Sequence, residues 1–242
     1  MDPQKLLKSL EGAVFEMALW VLLLPKTLVQ VLRRPVWVLD YTRAELAKPE
    51  ADRFDDYLSP VTFWLLVAVG PYLWAASVIR QHYAVGDASA DVMSHLPIVD
   101  RYLISALLLA SAPLSVAVIF SLVRRHGLAR RALLPHFAAQ CYLQSPALLA
   151  VMPVVIGLLF VSHANVLAHL QRSTLVAGFG GLGVVWLLTA ETRYLMRDLD
   201  VGAGRAFRIA AVSLALATVA IGSLAVGTIH VLLHAHLILP HQ

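Results

Sequence analysis

From residue 61 onward, long stretches without charge alternate with short stretches that hold nearly all of the charge. The apolar runs cover about 61–79, 102–123, 137–161, 174–190 and 209–233. At 1.5 Å per residue, a helix of about 20 residues crosses the roughly 30 Å hydrocarbon core of a bilayer. The pattern predicts an all-α, polytopic membrane protein with five transmembrane helices. The middle run, Phe137 to Val161, is the least regular, with Gln140, Cys141 and Gln144 in its first half. The two glutamines lie one turn apart and are expected to bond to each other or to a neighbouring helix. Pro71, Pro113, Pro146 and Pro153 fall inside the first three runs and are expected to kink them.

Residues 1–57 follow another pattern and read as a cytoplasmic N-terminal region, with 58–242 as the transmembrane domain. The apolar run Gly12 to Leu24 is short, carries Glu16 and is expected to be broken by Pro25-Lys26. That makes it too short and too charged for a span, and it predicts an amphipathic helix lying in the interface with Trp20 at headgroup level. A second amphipathic piece follows, in which Arg33 and Arg34 suit anionic headgroups and Trp37 joins them as a lipid- or partner-facing residue. The mixed charges of Asp40 to Asp56 predict a solvated helix or loop.

Composition sharpens this picture. Hydrophobic residues make up 59% of the 242 and charged residues 14%, with a mean hydropathy of +0.74. Soluble domains carry about 25% charge. Little chain is left for a separate catalytic domain, and no nucleophile elbow, phosphate loop or paired intramembrane carboxylates occur, so the chain does not read as an enzyme. The net charge of +4 comes as basic pairs beside the runs, which excludes a nucleic-acid patch and reports orientation instead. The N-terminal region and the loops around 124–131 and 193–208 are arginine-rich, whereas the other loops and the C-terminal tail are poor in cations. The N-terminus is therefore expected in the cytoplasm and the C-terminus outside. Arginine outnumbers lysine, and alanine, leucine and valine abound, as in GC-rich bacteria, which implies the inner membrane.

Three sets of residues are candidates for specific roles. Gly178, Gly180 and Gly181, with Ser223 and Gly227, are small enough to let helix backbones approach. His230 and His234 share a helical face on the outer side, and with His236 could hold Zn or Cu, or form part of a haem site. An interfacial role for those histidines is the plainer reading, and no cofactor is required. No Asp, Glu, Lys or Arg lies inside the five runs, which argues against coupled ion transport.

Leu24 to Trp37 (LPKTLVQVLRRPVW), Cys141 to Gly157 (CYLQSPALLAVMPVVIG) and Val184 to Ala210 (VVWLLTAETRYLMRDLDVGAGRAFRIA) together resemble the Yip1 family of five-span membrane proteins. The Asp-Leu-x-Gly-Pro signature of eukaryotic members is replaced here by Tyr57-Leu58-Ser59-Pro60, and Asp40 to Asp56 looks like an insertion. The resemblance implies a non-enzymatic membrane scaffold or adaptor that engages lipid headgroups and a protein partner on its cytoplasmic face. The alternatives are a small permease or lipid-handling transporter built on proline-broken helices, and a membrane protein with an outer-face metal or haem site.

Overall fold

Helix is the state in which a long apolar segment satisfies its own backbone hydrogen bonds, and most of the described residues adopt it. The computed structural model describes residues 3–71, 98–124, 128–160 and 166–238. Among these it contains seven α-helices and no strand: α1 (Pro3–Arg33), α2 (Trp37–Ala47), α3 (Pro60–Trp64), α4 (Ile98–Val123), α5 (Arg130–Phe160), α6 (Val166–Leu199) and α7 (Ala203–Ile238). Three stretches are long and apolar enough to cross a membrane: Val14–Arg33, Ala106–Val123 and Ala203–Leu224.

That set differs from the five expected spans. The second and fifth runs are in it. The first run is described only to Pro71, and the third and fourth pass into residues whose side chains lie outside the described set. The N-terminal helix, in contrast, joins the set. The break expected at Pro25-Lys26 does not occur, because α1 continues through Pro25 to Arg33. The missing proline N–H leaves one carbonyl free on an exposed side of the helix, which the remaining turns tolerate.

α4, α5, α6 and α7 close into a ring in which each helix packs against two neighbours. α5 is the hub, since α1, α2 and α3 also pack against it. One buried core runs from Val31, Val38, Leu39 and Tyr41 through Phe63 and Val67 to Phe120, Tyr142, Leu143, Tyr194, Leu195, Ala206 and Ala210. The charged segment after Asp40 is thus not wholly solvated. α2 turns Val38, Leu39, Tyr41, Thr42 and Glu45 inward.

The prolines deform helices without ending them. Ser59 caps α3 by accepting from the Thr62 N–H, and Pro60 occupies the first turn, where its missing N–H costs nothing. α3 then widens into a π turn over Leu65–Val69, where the Gly70 N–H reaches back to the Leu65 carbonyl. The wider turn makes room for the ring of Pro71, so the expected distortion takes this form. α4 runs unbroken through Pro113, and α5 through Pro146 and Pro153. These helices are not proline-broken.

The link into α3 is irregular yet bonded. The Leu58 N–H donates to Thr27 Oγ1 (3.2 Å), and its carbonyl accepts from the Tyr142 hydroxyl. Both backbone polar groups of buried Leu58 are thus satisfied by side chains, as non-helical backbone inside a membrane bundle requires.

Candidate functional site

A polar seam lies where α5 meets α6. On α5, His136, Gln140 and Gln144 recur every four residues, and on α6, Glu191, Tyr194 and Asp198 recur at three and four. Each set occupies one helical face, and all six residues are buried. Gln144 Nε2 donates to Gln140 Oε1 at 2.8 Å, and Gln140 Nε2 donates to Glu191 Oε2 at 3.0 Å. The expected glutamine pair therefore forms and extends to a neighbouring helix. One turn toward the arginine-rich end, His136 Nδ1 and the Tyr194 hydroxyl are 2.8 Å apart, and Phe120 stacks on the Tyr194 ring.

The seam ends at Asp198. Its fully buried carboxylate binds Arg43 of α2, and Arg124 Nη1 just past α4 donates to the same oxygen at 3.2 Å. Arg197 Nη2 pairs with Asp40 at 2.8 Å on the half-exposed side of α6. The pairing of Asp198 with Arg197 or Arg205, suggested by their closeness in sequence, is replaced by these long-range bonds. Neighbours on one helix point to different faces, so Asp198 looks inward and Arg197 outward.

A second cluster seats the N-terminal region. Trp37 stacks on Tyr41 at 4.4 Å and meets Tyr57 edge-on at 4.7 Å, with Tyr142 behind them. Trp37 is thus turned into the protein rather than toward lipid. Trp20 packs against the core from α1, while Arg33 and Arg34 are exposed. Trp186 Nε1 donates to the Leu32 carbonyl at 3.3 Å, tying the end of α1 to α6.

Glu45 organises the loop after α2. Lys48 Nζ donates to Glu45 Oε1 and the Phe54 N–H to Oε2, both at 2.7 Å. Phe54 has a φ of 63°, a strained conformation for a phenylalanine that this bond helps to hold. Burial pushes the Glu45 carboxyl up, but the bonds from Lys48 and Phe54 and the Lys48 charge outweigh it and hold the group below its ordinary value.

The small-residue candidates divide. Gly178 and Gly181 are exposed and a Cβ on either would meet nothing, while Gly180 is buried. Ser223 is exposed and bonds to the Val219 carbonyl at 2.9 Å, and Gly227 faces open space. The close approach falls on Gly183 instead, where a Cβ would lie 2.7 Å from Ala150 Cβ and 3.4 Å from the Ala147 carbonyl oxygen. His230, His234 and His236 lie on the last turns of α7, and their side chains fall outside the described residues. Among the described residues no group of three His, Cys, Asp or Glu is placed to hold a metal ion.

Glu191 and the double arginine clamp were hidden from sequence reasoning for different reasons. Glu191 follows the last apolar residue of its run and reads as the first loop residue. Its spacing with Tyr194 and Asp198 is the signal that marks it as part of an inward face. Arg43 and Asp198 are 155 positions apart, and nothing local pairs them. No protein-family model, curated protein or solved structure matches the chain.

Proposed function

We propose that the chain is a non-enzymatic scaffold or adaptor of the inner membrane, of the Yip1 type. Its N-terminus is cytoplasmic and five helices span the bilayer. The cytoplasmic face engages anionic lipid headgroups and a protein partner. One observation carries this reading: the N-terminal region is locked to one end of the bundle, and that end bears the arginines. Arg43 and Arg124 hold Asp198, Asp40 holds Arg197, and Arg33, Arg34, Arg130, Arg131, Arg193, Arg205 and Arg208 are left exposed. A rigid cationic platform of this kind suits anionic headgroups. Tyr142 and Trp186, which anchor the link and the end of α1, lie roughly 6–8 Å inside the expected span ends. An α1 that lies in the interface rather than crossing it is part of this reading.

The test is photo-crosslinking in intact membranes from Ala47, Arg193 and Arg208, with the outer-wall residue Leu216 as control. A single protein adduct at the first three positions and none at Leu216 is the expected result. Lipid adducts alone at all four would overturn the adaptor reading.

A second reading, a small permease, is favoured by one residue. Glu191 is an ionisable group fully buried between helices, the feature whose apparent lack argued against coupled transport. Unbroken helices at Pro113 and Pro146 remove the other support for that reading.

A further inference from the structure

Glu191 sits where a carboxylate has least support. Its side chain is 0% exposed, Oε2 accepts one amide hydrogen from Gln140, and buried Oε1 meets no donor. Among the described residues no ion pair reaches it, and Arg43 and Arg124 are held by Asp198, two turns along α6. The titratable or charged groups on the buried faces of the elements packed around it are His136, Cys141 and Tyr142 on α5, Tyr194 and Asp198 on α6, Arg124 beyond α4, and Tyr41, Arg43 and Glu45 on α2. The described buried residues of α7, Ala206, Ala210, Ser213 and Ala217, bring no charge. A lone negative charge in such a place, with one neutral donor, is strongly disfavoured, and a single bound proton removes it.

We propose that Glu191 is a proton-binding site inside the bundle. It lies within the seam, away from the charged end. Asp198 lies at the end, the Tyr194–His136 bond one turn in, then Glu191–Gln140, then Gln144. Glu191 Oε1, which meets no donor, is the atom left to carry the proton. Nothing is oxidised or reduced, and the net step is one proton moved from water to the carboxylate. This inference goes beyond both functional readings, because it concerns what the bundle binds and not what it docks.

Infrared difference spectra of the full chain in phosphatidylcholine nanodiscs, wild type minus Glu191→Gln, provide the test. At neutral pH we expect the carbonyl stretch of a neutral carboxylic acid, shifted in deuterium oxide, lost at alkaline pH and absent in the variant. Carboxylate bands alone at neutral pH would overturn the site. Loss of the acid band on adding sodium at constant pH would make it a cation site and overturn it equally.

Dicyclohexylcarbodiimide gives a readout on the wild-type chain that needs no variant. A neutral carboxyl adds across one C=N bond, its proton passing to nitrogen, and the O-acylisourea rearranges to a stable N-acylurea. Mass spectrometry should find the adduct on Glu191, declining as pH rises. An adduct on Asp198 with none on Glu191 would reverse the assignment.

Discussion

The α5–α6 interface and the buried face of α7 solve the same problem in different ways. Between α5 and α6 the contacts are bonded: Gln144 to Gln140, Gln140 to Glu191, His136 to Tyr194, with Asp198 clamped at the end. α7 turns in Ala206, Ala210, Ser213 and Ala217, small side chains at steps of three and four, and the Ser213 hydroxyl has no partner. Lipid is as apolar as a leucine side chain, so helices inside a bilayer gain little from hiding apolar surface from one another. What remains is specific bonding or close approach of backbones. The chain uses bonds where helix register must be fixed and small residues where a smooth helix only has to lie close. The α5–α6 pair also uses a little of the second device, at Gly183.

Asp198→Ala should break the contrast most severely. It leaves Arg43 and Arg124 facing each other without their carboxylate, and removing one partner of a buried charge cluster costs about 3 kcal/mol or more. Unfolding in mixed micelles should show the loss, and limited proteolysis should show α2 released from the bundle. Gly183→Val comes next. Its Cβ would collide with Ala150, which cannot rotate away, so α5 and α6 must part, with an expected loss of about 1–3 kcal/mol.

A smaller, pH-dependent effect is expected at Glu45. Its carboxyl titrates below the ordinary glutamate value in the folded chain, so its bonds to Lys48 and Phe54 are fully present above that ordinary value. Their contribution is lost as the pH falls through the lowered value. Acid should therefore loosen the loop around Phe54 in wild type and change little in Glu45→Gln, as amide hydrogen exchange at residues 48–54 would show. Ser213→Ala should have the least effect, within about 0.5 kcal/mol, because its hydroxyl makes no bond to lose. A loss above about 1 kcal/mol would mean that α7 is bonded after all and would erase the contrast.

Much of the bonded interface could be read in the sequence, but only the part that is local. Helical class follows from the apolar runs, and the glutamine pair follows from a spacing of four. Glu191 was legible only once a helix is allowed to continue past its last apolar residue, which a hydropathy window does not assume. The clamp on Asp198 was not legible, because a charge beside Arg197 in sequence looks already paired. Trp37 misled in a similar way: a tryptophan after two arginines reads as an interfacial anchor, and only the fold brings Tyr41, Tyr57 and Tyr142 around it. Pro25 misled in the opposite sense, since a helix with an exposed proline can continue where a breaker is expected.

The bond between Arg43 and Asp198 also sets an order of events during synthesis. Arg43 leaves the ribosome 155 residues before its partner exists. At about 5–20 residues per second, the N-terminal segment waits roughly 8–30 s with its aromatic and basic side chains unsatisfied. Tyr142 then emerges to take the Leu58 carbonyl, and Asp198 follows to fasten the arginines. The oldest part of the chain is thus the last to find its place, and the arginine-rich end acquires its final shape only when the sixth helix has left the ribosome.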